Sequence, residues 1–294
     1  MPSGYSSTAA GGALVPDHVL PLLIEPLMSR SVVLEAGPQR FDAQGAPVRV
    51  PRIDTLPLAD PWRAENVEIA ETDPVYDELT LLPTSLKSLK VIHRISNELA
   101  RNAEGDVASL VSDALVRRIA VELDKAFLVG DGAANTITGL RAQTGAQVVA
   151  AVGAPTIDDL YDAEQLLMAA NADPASAVWF MAPRSLTSLR KVKDTAGQYL
   201  MQPSPTEQGR MTLLGHPVYV STQIPTNEGA GTNESSIILA DMAQVAVAVD
   251  QDVTLTLLNE RYGEFDQIGL RVTARFDIGA LNPEAVVALN GVTA

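Results

Sequence analysis

Few residues in this chain have the types and spacing for chemistry. It has no cysteine and only three histidines, His18, His93 and His216. Disulfides, thiolate metal sites and cysteine nucleophiles are therefore excluded. The histidines sit in Pro16-Asp17-His18, Ile92-His93-Arg94 and Gly215-His216-Pro217. None of these contexts has metal-ligand spacing, so all three read as structural. Gly130-Asp131-Gly132 comes nearest to a phosphate loop, but it lacks a Walker lysine and a GxGxxG frame and follows a helical pattern. It reads as a helix-ending turn. Asp158-Asp159 could serve acid–base chemistry, yet the pair falls where a helix starts, and carboxylates favour the helix dipole there. Asp250-Gln251-Asp252 has calcium-like alternation without the glycine and twelfth-position glutamate of an EF-hand, and reads as a strand-connecting turn. No GxSxG or HExxH occurs, so no catalytic, cofactor or metal residue is predicted.

What the chain does offer is segregated charge. From Arg52 to Leu86, Arg52 and Arg63 stand against Asp54, Asp60, Glu65, Glu68, Glu71, Asp73, Asp77 and Glu78, with no lysine. The whole chain of 294 residues carries a formal charge of −15, which argues against a broad nucleic-acid-binding face or an anionic-membrane anchor. No window approaches the ~18 apolar residues of a membrane span. Met1 to Gly12 has neither a basic start nor an apolar run, so a signal peptide is not predicted and the cytoplasm is the expected site of synthesis.

The elements that must position these charges follow from periodicity. Hydrophobic residues are 46% of the chain, and its length suits about two domains at ~150 residues each. Residues 1–51 are broken by Pro16, Pro21, Pro26, Pro38, Pro47 and Pro51 and read as an extended arm that cannot make its own core. Residues 52–86 read as a two-stranded hairpin, which is marginal alone. The strongest helix has Asp106 as N-cap and Val107, Leu110, Val111, Ala114, Leu115, Ile119, Leu123 and Phe127 on its apolar stripe, and ends near Gly130 after about six turns. Arg117, Arg118, Glu122 and Lys125 fill its polar positions. Thr156 and Asp159 form a capping pair ahead of a second helix, and Pro183 starts a third. Strand-like runs are Ala177 to Met181, His216 to Ser221, Ser236 to Ala240, Val245 to Val249, Val253 to Leu258 and Ile268 to Phe276. The class is α+β. An arm and a hairpin without cores must bury their apolar faces on neighbours, which predicts assembly.

The order of motifs resembles the major capsid proteins of tailed bacteriophages, with the Hong Kong 97 fold, over nearly the whole chain. Gly11-Gly12-Ala13-Leu14-Val15-Pro16 resembles the family's leading motif, and Asp60-Pro61-Trp62-Arg63-Ala64-Glu65 its extended-loop segment. Leu123-Asp124-Lys125-Ala126-Phe127-Leu128-Val129-Gly130 resembles the end of its spine helix. Trp179-Phe180-Met181-Ala182-Pro183, Lys193-Asp194-Thr195-Ala196-Gly197 and Leu214-Gly215-His216-Pro217 are similar to its axial domain. Arg275-Phe276-Asp277 with Asn282-Pro283-Glu284 is similar to its closing strand. The resemblance implies an N-terminal arm (1–51), an extended loop (52–86), a peripheral domain with the spine helix (87–154 and 250–276) and an axial domain (155–249 and 277–294).

By the same resemblance the chain is expected to be a non-enzymatic shell protein of the virion. It would assemble in the host bacterial cytoplasm as hexamers and pentamers into an icosahedral container for double-stranded DNA, which it encloses without strong sequence-specific binding. Many members carry a long scaffolding segment ahead of the leading motif, whereas ten residues precede Gly11 here; either that segment has been removed or, as Met1 favours, a separate scaffolding protein is expected, with a portal and a decoration protein as further partners. Loop residues Trp62, Glu65, Glu68, Glu71 and Tyr76 are expected to meet Arg117 or Arg118 of a neighbour, although Arg118 and Glu122 also have the spacing to pair within one helix. Cross-linking members of the family join a loop lysine to an asparagine. Here Lys87 is the first lysine, and Phe265, Asp266 and Gln267 occupy the expected asparagine region, so a non-covalent shell is expected. The alternative within the fold is an encapsulin, which usually begins with a helix instead of a proline-broken arm. The alternative outside it is an enzyme using paired acids.

Overall fold

The computed structural model describes residues 31–43, 46–55, 75–82, 87–98, 107–133, 136–150, 152–193, 197–199, 211–258 and 260–293. In chain order these form α1 (Val32–Glu35), β1 (Gln39–Asp42), β2 (Val48–Thr55), β3 (Val75–Leu81), β4 (Leu89–Ser96), α2 (Val107–Val129) and β5 (Gln147–Val149). There follow α3 (Ile157–Ala169), β6 (Ala177–Met181), α4 (Pro183–Arg190), β7 (Thr212–Leu213), β8 (His216–Val220), β9 (Ser235–Asp241), β10 (Val245–Leu258), β11 (Gln267–Ala280) and β12 (Val286–Val292).

The strands make a four-stranded sheet in the order β1-β10-β11-β4, a six-stranded sheet in the order β5-β12-β9-β6-β8-β7, and the separate pair β2-β3. Helix α2 lies on one face of the four-stranded sheet because Ile119, Leu123 and Phe127 recur every four residues and bury together. The facing side of β11 supplies Leu270, Val272, Ala274 and Phe276, all buried, and Phe127 meets Phe276 edge-on at 6.4 Å. The helix stops where it is expected to. Gly130 N donates to Ala126 O and Gly139 N to Gly130 O. A Cβ on Gly130 would lie 2.2 Å from Ile137 O, and one on Gly139 2.6 Å from Gly130 N, so only glycine allows the two backbones to cross here.

The central strands of the six-stranded sheet, β6 and β9, are buried at every residue, as apolar strands are when both faces are covered. Leu160, Ala163 and Leu167 of α3 pack with Leu186 and Leu189 of α4, Trp179 and Leu239 in one cluster. Helix α3 opens on the predicted capping box: Thr156 Oγ accepts from Asp159 N, and Asp159 Oδ2 accepts from Thr156 N at 2.8 Å. The main core is continuous between the sheets, running from Ile119 and Phe127 through Val247 and Phe276 to Phe180, Tyr219 and Ile238.

Three expectations need correction. Residues 31–43, expected to lie against a neighbour, find cover within their own chain: Val33 is fully buried, and β1 pairs in parallel with β10. Pro38 precedes β1 and Pro47 precedes β2, so the prolines punctuate this stretch instead of dissolving it. The hairpin strands begin at Val48, before the expected Arg52, and Pro51 sits opposite Glu78 inside β2. In a two-stranded sheet each strand has an open edge, where a missing N–H is tolerated. Finally, Asp250-Gln251-Asp252 is no turn. β10 is one strand of 14 residues, with shifts of register between Val249, Gln251 and Thr254. Without a Gly or Pro to reverse the chain, the extra residue is absorbed as a bulge. It is tied by Arg275 Nη1 donating to Asp250 Oδ2 at 3.1 Å and Gln251 Nε2 to Thr254 Oγ1 at 2.8 Å. The sequence-based boundaries at 51/52, 249/250 and 276/277 thus fall inside β2, β10 and β11.

Candidate inter-subunit surface

The β2-β3 pair is the element least supported by its own chain. Val48 to Thr55 run antiparallel to Val75 to Leu81. Among the described residues the pair meets the body at its root, where Leu79, Leu81, Leu82 and Val48 pack with Phe41, Ala43, Ala246, Ala248 and Leu281. Beyond the root Arg49 Nη1 lies 3.4 Å from Glu78 Oε1, both side chains more than half exposed, an arrangement worth little in water. Trp62, Glu65, Glu68 and Glu71 lie outside the described residues. Tyr76 stands opposite Ile53 in the backbone register.

The predicted donors are on α2. Arg117 and Arg118 are both exposed. Arg118 Nη2 donates to Glu122 Oε1 at 2.5 Å within its own helix, so it has the intrahelical partner its spacing allowed. A second cationic surface escaped the sequence reading. β4 pairs with β11 so that Lys90, Ile92 and Arg94 face the same way as Thr273, Arg271 and Gly269, opposite to the buried Val272 and Leu270. Lys90, Arg94 and Arg271 are exposed there, and Ile92 is 44% exposed. Arg94 and Arg261 flank the Tyr262 ring at 5.5 and 5.6 Å. The signal was available: Lys90 and Arg94 are four apart in an alternating run, and period two places them on one face.

The other candidates of the sequence resolve into structure. Asp131 closes an exposed turn, its Oδ1 accepting from Ala133 N at 3.0 Å and Thr136 Oγ1 at 2.8 Å. These bonds, the Ala133 one first, hold its carboxyl below the usual aspartate value. His93 is exposed on β4. His216 is buried with Nε2 3.3 Å from Glu164 Oε1, joining β8 to α3. Asp158 and Asp159 lie in the first turn of α3. At the β10-β11 turn Asp266 takes φ +49° and its Oδ1 accepts from Asn97 Nδ2 at 2.6 Å, so an asparagine reaches this turn from β4's end although none stands at 265–267. Among the described residues no group of three His, Cys, Asp or Glu side chains could hold a metal ion, and no helix is long and apolar enough to cross a membrane.

The described residues thus give a two-sheet body with a long helix on one sheet and an outlying hairpin, the architecture against which the relatives of the chain can be compared. The phage capsid family matches residues 11–291, and the chain belongs to that family. It is 29% identical to the major capsid protein of Klebsiella oxytoca phage phiKO2, over 97% of this chain and 70% of that protein. It is 26% identical to the capsid polyprotein of Pseudomonas phage PAJU2, over 86% of this chain and 39% of the polyprotein. Among solved structures, the capsid of a native GTA particle superposes with a TM-score of 0.76 at 19% identity, covering 99% of this chain and all of that one. A chain of Mycobacterium phage Adephagia gives 0.73 at 20% identity, covering 97% and 98%. The fold is the Hong Kong 97 capsid fold, as its resemblance implied.

Proposed function

We propose that this chain is the major head-shell subunit of a tailed bacteriophage, assembling as hexamers and pentamers into an icosahedral shell that encloses double-stranded DNA. The observation that carries this is the β2-β3 hairpin, whose described residues pack on the body at its root, on a chain of the phage capsid family. An element too small to be stable alone gains its burial from a neighbour, and repetition closes the shell. The reading treats the four-stranded sheet with α2 as the peripheral domain and the six-stranded sheet as the axial domain. It has the subunit act without enzymatic activity, in the host cytoplasm, with a separate scaffolding protein, a portal and a decoration protein. The family and its structural relatives give no support to the encapsulin or the paired-acid enzyme.

Purified chain, with its scaffold where assembly requires one, should give closed particles by electron microscopy. A stable monomer that never closes would overturn the reading. Within the shell, the loop that carries Trp62, Glu65, Glu68, Glu71 and Tyr76 is assigned to cations of an adjacent subunit. Arg117 or Arg118 on α2 is assigned as the donor to the loop carboxylates. Single exposed pairs contribute ~0 to 1 kcal/mol each, so the interaction matters through its repetition. Reversing Arg117 and Arg118 to Glu should lower particle yield and salt resistance, and reversing Glu65 and Glu68 to Arg should partly restore them. Unchanged yield and salt resistance after the first reversal would leave the loop held by apolar packing.

A further inference from the structure

Three aspartates are almost wholly buried among the described residues: Asp124, Asp241 and Asp277. Asp241 ties the end of β9 to the segment before β6 inside the body, accepting from Ser176 Oγ and from the N–H groups of Asp173 and Ala243. Asp124 holds α1 on α2 inside the body. Asp277 is placed differently, since it sits where the hairpin leaves the body. Its Oδ2 accepts from Leu82 N at 2.9 Å, its Oδ1 from Ile278 N at 3.0 Å, and Lys87 Nζ stands 3.9 Å from Oδ1. Leu82 and Lys87 are the described residues that follow β3 and precede β4, so one carboxylate on β11 grips both sides of the return from the hairpin.

The surroundings make this grip directional. Leu82 is 1% exposed and holds φ +52°, a left-handed conformation that a leucine keeps only where other contacts impose it. Two residues along β11, a Cβ on Gly279 would lie 2.8 Å from Leu81 Cδ2 and 3.1 Å from Leu79 Cδ1, so β3 lies directly on the β11 backbone. Beside this contact is a cleft of about 260 Å³ lined by Thr80, Lys87, Thr138, Thr144 and Pro283 among others. It leaves room for the strand pair to tilt if the grip is released.

We propose that Asp277 and Lys87 form a pin that fixes the angle at which the hairpin leaves the body, and that this angle sets the curvature with which subunits close. Both are positioning residues: they act through the strands they hold. The proposal rests on the shell reading above, and its test separates the two. Lys87→Met removes the charge and keeps an apolar stem, while Asp277 retains the Leu82 and Ile278 donors. Lys87→Arg restores the charge. In the unassembled chain, amide exchange over Val75–Leu81 and Leu82 should quicken severalfold in Lys87→Met, as expected on losing the attraction of an ion pair largely shielded from water, and return toward wild type in Lys87→Arg. Under conditions where the wild type closes, Lys87→Met should give open or mis-sized particles, and Lys87→Arg particles of wild-type diameter. Unchanged exchange in Lys87→Met removes the pin, whatever the wild type assembles into. Faster exchange with particles of wild-type diameter and yield removes its positioning role. A wild-type chain that never closes counts against the shell reading, and the pin then stands or falls on exchange alone.

Discussion

At the scale of single residues, Asp124 shows how a carboxylate can be structural and still set a pH dependence. It lies in the apolar stripe of α2 with no exposed surface. Its Oδ1 accepts from Ser31 Oγ at 2.7 Å and Val33 N at 3.3 Å, and its Oδ2 from Val32 N at 2.9 Å. It therefore satisfies the open N–H groups of α1 from outside that helix, as an N-cap would. Burial pushes its carboxyl above the ordinary aspartate value, and the bonds from Val32, Ser31 and Val33 only partly oppose that. A raised folded value means that the folded chain binds the proton more readily than the unfolded one. The contribution to stability thus rises as pH falls from neutrality through the folded value to the unfolded one, and is level below it. Asp124→Asn places an NH2 group against a backbone N–H and should cost about 2 kcal/mol at neutral pH. Urea denaturation at several pH values should show the wild type's advantage over Asp124→Asn growing toward acid; an advantage that shrinks there would contradict the assignment. Nothing in the sequence marked this residue, because an aspartate beside Leu123 looks like a polar-face position until the helix is docked.

Elements were legible where the signal is local and obscure where it comes from distant partners. The apolar spacing from Ile119 to Phe127, the turn at Gly130 and the Thr156-Asp159 box all act within a few residues, and α2 and α3 form accordingly. Thr156→Ala should destabilise the chain by about 1 kcal/mol, read as a lower urea midpoint at unchanged slope. A loss within error would mean that packing of Leu160 and Leu167 alone starts the helix. β1 was not legible, since its parallel partner β10 lies some two hundred residues away in the chain and no periodicity reports such a pairing. β10 was divided in two for a related reason. Asp250 and Asp252 are turn formers by type, but Arg275 on the neighbouring strand supplies a partner that makes a bulge the better solution. The charge of the hairpin could be read from the sequence, whereas the cations of the four-stranded sheet appeared only once register put Lys90, Arg94 and Arg271 side by side.

For the whole molecule, the position of Lys87 bears on how a shell of this chain is held together. It is the first lysine of the sequence, lies past the hairpin, and is only 15% exposed beside Asp277. Asn97, which reaches the β10-β11 turn, has its amide bound to Asp266. Neither group is presented for amide exchange with a neighbour, so the shell should be non-covalent. Denaturing electrophoresis of mature particles should release a band near 31.1 kDa, and covalent ladders would show the prediction wrong.

The apolar core that runs unbroken from Phe127 and Phe276 to Phe180 and Ile238 has a mechanical corollary. A shell filled with a stiff, self-repelling polymer is stretched outward, and a subunit built from two separate cores could yield along the seam between them. Among the described residues the two larger sheets share one apolar cluster, because β10 and β11 bury side chains together with Phe180, Tyr219 and Ile238. If the chain forms such a shell, the body should resist tension as one plate, with the hairpin and its small root cluster around Leu81 and Leu82 as the compliant tab. Particles burst by osmotic shock should then release folded subunits; unfolded or fragmented chains would contradict this.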